Sequence, residues 1–168
     1  MSLKNLAMLL SFLVMSAAMH PQNTVKNRQS WIERLKQTPV SQLDPALPDK
    51  PFAAWFADRV KPAQPQYEVD DCGERSGTPE DRGKSFPLCV VVSANIQPVR
   101  KLELMFVVAS YTVPAEGAAA TAPKETKVEF LHGTVGPSDP RSKQPTRLVR
   151  KLSDVEGLTQ AQPSPTAP

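Results

Sequence analysis

The chain has 168 residues, room for one domain of ordinary size plus ends, and 40% of them are hydrophobic, enough for a modest core. Lys and Arg together number 20 against 17 Asp and Glu, a net charge of +3. That near balance excludes the concentrated basic stripe of a nucleic-acid binder.

The first residues carry an export pattern. Lys4 makes a positive start, Leu6 to Val14 is apolar, and Ser16, Ala17 and Ala18 are small. These are the parts of a secretory signal peptide, residues 1–18, with cleavage expected after Ala18. The run is shorter than the roughly 20 apolar residues of a membrane span. An uncleaved anchor is the alternative. No cysteine follows the run to carry a lipid, and no later run is long enough to span. The expected location is periplasmic or secreted. Cleavage after Ala17 instead would leave Ala18-Met19-His20 at the amino terminus, a copper- or nickel-binding arrangement, but with Met15 unfavourably at −3.

Export sets the reading of the two cysteines, Cys72 and Cys89. In an oxidising compartment they are expected to form one disulfide, with two buried free thiols as the alternative. Metal ligation is disfavoured, because only His20 and His132 could join them. No cofactor is expected.

Beyond the signal, Val25 to Lys36 has helical spacing, with Val25, Trp31, Ile32 and Leu35 able to share a face. Pro39 stops it, and Pro45 and Pro48 mark an extended link. A second helix is predicted over Asp49 to Val60, with Asp49 as N-cap and Pro51 in the first turn, where a missing N–H costs little. Phe52, Trp55, Phe56 and Val60 fall on one face of it. Pro62 and Pro65 end it. The aromatic residues read as anchors packed on a sheet; an aromatic ligand box would need polar partners that are missing.

The period then changes from 3.6 to 2. Strands are predicted near 66–72, 87–96, 100–113 and 127–132. Tyr67 and Val69 oppose Glu68, Asp70 and Cys72. Leu88, Val90, Val92, Ala94 and Ile96 form one face against Cys89, Val91, Ser93 and Asn95. Leu102, Leu104, Phe106 and Val108 oppose Lys101, Glu103, Met105, Val107, Ala109 and Tyr111. Val128, Phe130 and His132 share a side. The alternation puts Cys72 and Cys89 on the same, less apolar side, as a cross-strand disulfide requires. Closing a loop of roughly 16 residues stabilises by about 3 kcal/mol in the chain-entropy model. That loop, charged and carrying Gly73, Gly77 and Gly83, is expected on the surface. Gln97 to Val99 is a hairpin connection.

Pro114 to Thr126 and Gly136 to Pro145 read as loops. Residues 136–168 read as a polar tail, with a short helix over Thr146 to Leu158 carrying Leu148, Val149, Leu152 and Val155 on one side, and with no core residues from Gln160 on. The expected fold is α+β: N-terminal helices on one face of a four-stranded antiparallel sheet, in a single domain over residues 25–135, with one disulfide.

Chemistry-bearing motifs are absent: there is no G-x-S-x-G, H-E-x-x-H, phosphate-binding loop or C-x-x-C. His132 reads as a boundary residue, not a base. Glu68, Asp70, Asp71 and Glu74 surround Cys72 and could in principle hold a hard cation or serve a hydrolase. Their spacing matches no calcium loop, and Arg75 and Arg82 can neutralise part of the charge. The stronger lead is the outer sheet face. Val91, Met105, Val107, Tyr111 and Leu131 make it more apolar than a solvated face. The tail helix, a second copy of the chain in a homodimer, or an unknown protein or apolar ligand could cover it.

Trp55-Phe56, Asp71-Cys72-Gly73-Glu74, Phe86-Pro87-Leu88-Cys89-Val90 and Arg100-Lys101-Leu102 together resemble small exported bacterial proteins of unassigned function. Helices followed by an antiparallel meander are also similar to the cystatin-like architecture, an analogy of fold that implies no activity. The expected function is that of a small exported, non-enzymatic binding or accessory domain. The alternative is a hydrolase or metal-binding protein built on the acidic group near Cys72.

Overall fold

The computed structural model describes residues 21–73, 78–97 and 100–159. The predicted signal segment 1–18, His20, Glu74, Arg75, Gly77, Pro98, Val99 and the stretch from Gln160 on lie outside the described residues.

Three helices come first: α1 (Pro21–Gln37), α2 (Val40–Leu43) and α3 (Phe52–Val60). In α1, Trp31 and Leu35 are buried one turn apart and Ile32 packs beside them; the side chain of Val25 is outside those described. Thr38 ends α1, its Oγ1 donating to the Arg34 carbonyl at 2.8 Å. Pro39 has no N–H to continue the helix. Pro39 instead bridges to Pro51. On either side of that bridge the Val40 N–H donates to Lys50 O and the Phe52 N–H to Thr38 O, both at 2.9 Å. This lock places the start of α3 and corrects its predicted cap. The N-cap is Pro51, not Asp49, and no side chain caps it. The Phe52 N–H is already satisfied by Thr38, and Asp49 Oδ1 accepts from the Ser41 hydroxyl. On α3, Phe52, Trp55, Phe56 and Val60 are all buried, as their spacing predicts.

The sheet has five strands, not four: β1 (Gln66–Asp70), β2 (Ser85–Gln97), β3 (Arg100–Thr112), β4 (Lys124–Pro137) and β5 (Arg147–Val149). They follow one another in sheet order and every pair is antiparallel. The fifth strand arises where a helix over 146–158 was expected. That segment divides into β5, a 3-10 turn (Leu152–Val155) and the short helix α4 (Glu156–Thr159). Its apolar residues suit a helix, but Val149 pairs with Gly133 in the ladder. A Cβ at Gly133 would stand 2.6 Å from Leu104 Cδ2, 2.8 Å from Glu103 O and 3.2 Å from Val149 Cβ. Only glycine lets β5 and the Leu104 side chain approach there so closely.

Three helices and the C-terminal segment share one core. Trp31, Leu35, Phe52, Trp55 and Phe56 meet Val90, Val92, Leu102, Leu104 and Phe106 from the sheet. Val149, Leu152, Val155 and Leu158 complete it. Residues 149–158, expected within a polar tail, thus contribute to the core. The segment is also pinned by polar contacts. The Ser153 N–H donates to Asp44 Oδ2 at 2.9 Å, and Arg59 Nη2 meets Glu156 Oε1 at 2.6 Å.

Irregularities in register decide which side chains reach which face. Leu88 pairs with Ala109 but Cys89 with Val107, so Val108 is an extra residue on β3. Met105 pairs with His132 but Phe106 with Phe130, so Leu131 is an extra residue on β4. Each β-bulge shifts the alternation by one beyond it. The ladder between β3 and β4 is also broken between Val107 and Ala109. Arg34 of α1 fills that break. Its Nη2 donates to the carbonyl oxygens of Val108 and Thr126, and Nη1 pairs with Glu125 at 2.8 Å.

Candidate functional site

The disulfide Cys72–Cys89 forms as expected, with an S–S distance of 2.09 Å. It ties the end of β1 to β2. Cys72 turns the chain with φ of 60° and Gly73 follows at 75°, a left-handed pair that reverses direction directly after the strand.

Helices α1 to α4 lie on the side of the sheet that carries Val90, Val92, Leu104 and Phe106. None of these helices covers the other side, where the turn at Cys72 and its disulfide cover Cys89, which is fully buried. The ladder arranges that open face in rows. One row is Glu68, Val91, Met105 and His132 across β1 to β4. The next is Asp70, Cys89, Val107 and Glu129. A third is Gln66, Ser93, Glu103, Thr134 and, on β5, Leu148. Val91, Met105 and Val107 are half-buried, as residues of a flat open sheet should be. Leu131 and Leu148 are exposed at 47% and 50%, the large hydrophobic side chains most open to solvent among the described residues. A shallow depression of about 210 Å³ is lined by Asp70, Val91, Glu103, Met105, His132 and Thr134.

Four of the five predicted face residues, Val91, Met105, Val107 and Leu131, belong to this surface. Tyr111 does not. The bulge at Val108 turns it to the helix side, where it pairs with Phe86 and stacks on it at 5.8 Å. There it lines a recess with Val69, Leu88 and Arg28. His132 moves in the opposite sense. Expected beside Val128 and Phe130 on the core side, it is carried to the open face by the bulge at Leu131. Leu148 was missed, because three residues of alternation, Arg147 to Val149, are too few to signal a strand. The proposal that the tail covers this face is overturned, since Leu152 and Val155 are buried among the helices.

Of the acidic group, Glu74 lies outside the described residues, and Glu68, Asp70 and Asp71 do not converge. Glu68 and Asp70 project from β1 and are exposed. Asp70 Oδ1 accepts from the Asp71 N–H, and Asp71 Oδ1 from the Gly73 N–H, so both carboxylates shape the turn. Arg82 pairs with Glu116 instead, at 2.6 Å. Among the described residues no group of three His, Cys, Asp or Glu side chains is disposed to hold a metal ion. Nor is any helix among them long and apolar enough to cross a membrane.

Beside the helices, burial, and secondarily the charge of Glu33, push the Tyr67 phenol up to about 12 from 10.0. Lys36 sits over its ring at 5.0 Å. The folded state therefore holds the phenol proton more tightly than the unfolded state. Its contribution is complete below pH 10 and is lost as pH rises towards 12. Urea midpoints are expected to fall across that window, and less steeply in Tyr67→Phe. Equal falls in both proteins would exclude Tyr67 as the cause.

Comparison with protein-family models, with curated proteins and with solved structures gives no match, so the open face has to be interpreted from its own chemistry.

Proposed function

We propose that the protein is a small exported binding or accessory domain, without a catalytic role, that meets its partner through the open face of its sheet. One arrangement carries this reading. Helices α1 to α4 and the C-terminal segment pack on a single side, and none of them covers Val91, Met105, Val107, Leu131 and Leu148. Apolar side chains left uncovered on a sheet face mark an interaction site more often than a solvated face. The signal-like residues 1–18 and the disulfide support export.

The test is a photo-reactive amino acid placed at Val107, with a second at Arg28, exposed on α1, as control. Irradiation of the producing cells is expected to give a discrete covalent adduct from position 107 and none from 28. No adduct from 107, or the same adducts from both, would overturn the reading.

A further inference from the structure

We propose that the free edge of β1 is a second docking element, and that it takes an extended cationic segment of another protein as a further strand of the five-stranded sheet. The inference stands apart from the open-face reading. It uses the main-chain groups of an edge and the charge beside them.

β1 and β5 end the strand order, so each has one unpaired side. β1 pairs with β2 through all of its residues, Gln66–Asp70. In such a ladder alternate residues turn their N–H and C=O groups away from the partner strand. Among the described residues, no main-chain hydrogen bond outside the ladder reaches Gln66–Asp70. Those outward groups are left to water or to an added strand. The strand is also held in shape. Tyr67 and Val69 pack against the core, and the disulfide from Cys72 ties its end to β2. An edge already ordered costs little further entropy when a peptide adds to it.

Charge decides what can add. Gln66, Glu68 and Asp70 are exposed, and Tyr67 and Val69 between them are half-buried. Among the described residues no ion pair involves Glu68, Asp70 or Asp71. Arg28 and Lys36 stand on the helix side, with Lys36 held by Glu33 at 2.9 Å. Opposite charges across a strand pair stabilise it and like charges destabilise it. The edge of β1 therefore turns away acidic strands, its own copy included, and leaves cationic ones free to add. The other edge has the opposite sign. β5 is three residues long, begins with Arg147 and is followed by Arg150 and Lys151. It repels the same segment, so a cationic strand has one edge to join.

Directly opposed residues share a face of the sheet. The segment that fits thus alternates, with Lys or Arg opposite Glu68 and Asp70 and apolar residues opposite Tyr67 and Val69. On the helix side Val69 borders a recess of about 460 Å³ with Leu88, Tyr111, Pro123 and Arg28, room for one larger apolar side chain. In this mode of recognition main-chain bonds supply affinity and alternate side chains supply specificity.

The probe is a capped, fluorescently labelled peptide, Lys-Val-Lys-Val-Lys. Its anisotropy is followed as purified full-length chain is added to about 1 mM, which reveals even millimolar binding. The parent chain is expected to bind it and not Glu-Val-Glu-Val-Glu. In Glu68→Lys/Asp70→Asn, asparagine keeps a carbonyl able to accept from the Asp71 N–H. There the lysine peptide is expected to bind about tenfold more weakly and the glutamate peptide to gain. Two further peptides carry N-methyl groups on the lysines or on the valines. Only one alternate set of peptide N–H groups can face β1, so one pattern should weaken binding about fivefold or more and the other leave it unchanged. No binding by the parent chain overturns the proposal, as do equal effects of the two methylation patterns. Binding that Glu68→Lys/Asp70→Asn leaves unaltered, with the fold intact by circular dichroism, overturns it too. If the parent chain self-associates in sedimentation velocity and this variant does not, the edge is filled by another copy and the proposed partner is wrong. An adduct at position 107 reports on the open face alone, so the two readings fail separately.

Discussion

A chain ending at Pro145 is expected to lose its cooperative unfolding transition. The cut removes Val149, Leu152, Val155 and Leu158, which are between 0% and 8% exposed. Burying a side chain of this size contributes about 1.5–3 kcal/mol. Four of them amount to about 6–12 kcal/mol, comparable with the roughly 5–15 kcal/mol that holds a whole domain together. The loss also opens Trp55, Phe56 and their neighbours to water, and it removes the anchors from Ser153 to Asp44 and from Arg59 to Glu156. Urea titration followed by circular dichroism should show a broad, early or absent transition. Leu152→Ala in the full chain is the milder form of the same test, with an expected loss of about 2–5 kcal/mol from its fully buried site. A truncated chain that unfolds sharply at the parental midpoint would show the segment to be an appendage.

Phe52→Ala is expected to lose about 3–5 kcal/mol, the cost of removing a fully buried aromatic ring and leaving a cavity. Phe52 occupies the point where the helices meet the sheet. Its ring stacks on Phe56 at 5.4 Å and meets the edge of Phe106 on β3 at 4.9 Å. Trp55 lies 6.1 Å away. Aromatic contacts of this kind add to simple burial. Phe52→Leu keeps part of the volume and should lose less. A midpoint shift in urea corresponding to under about 1 kcal/mol for the alanine variant would be incompatible with a core built around this ring.

The two variants probe parts of the fold that differed in how plainly the residues announced them. Phe52, Trp55, Phe56 and Val60 repeat at helical spacing, and each is buried. Leu102, Leu104 and Phe106 alternate, and each is buried. Those patterns are local, and burial of one face follows directly from the period. Leu152 and Val155 also stood in an apolar pattern, but nothing local said which surface they would meet. The polar composition around them suggested a tail.

The open face shows the same division. Val91, Met105 and Val107 could be assigned to it from alternation alone, because no bulge separates them from their pairing partners. Tyr111 and His132 could not. One lies beyond the extra residue at Val108 and the other beyond the extra residue at Leu131, and each bulge inverts the parity on which the assignment rested.

The amino-acid sequence by itself determined the antiparallel sheet with helices ahead of it, the pairing of Cys72 with Cys89, and the two principal apolar faces. Side-chain periodicity and the count of two cysteines are properties of the chain that need no neighbours to read. Only the tertiary structure decided the fifth strand, the inward packing of Leu152 and Val155, and which residues the open face presents. Strand pairing and bulges are settled by contacts between segments distant in sequence. A one-residue change in register moves a side chain from one side of the sheet to the other.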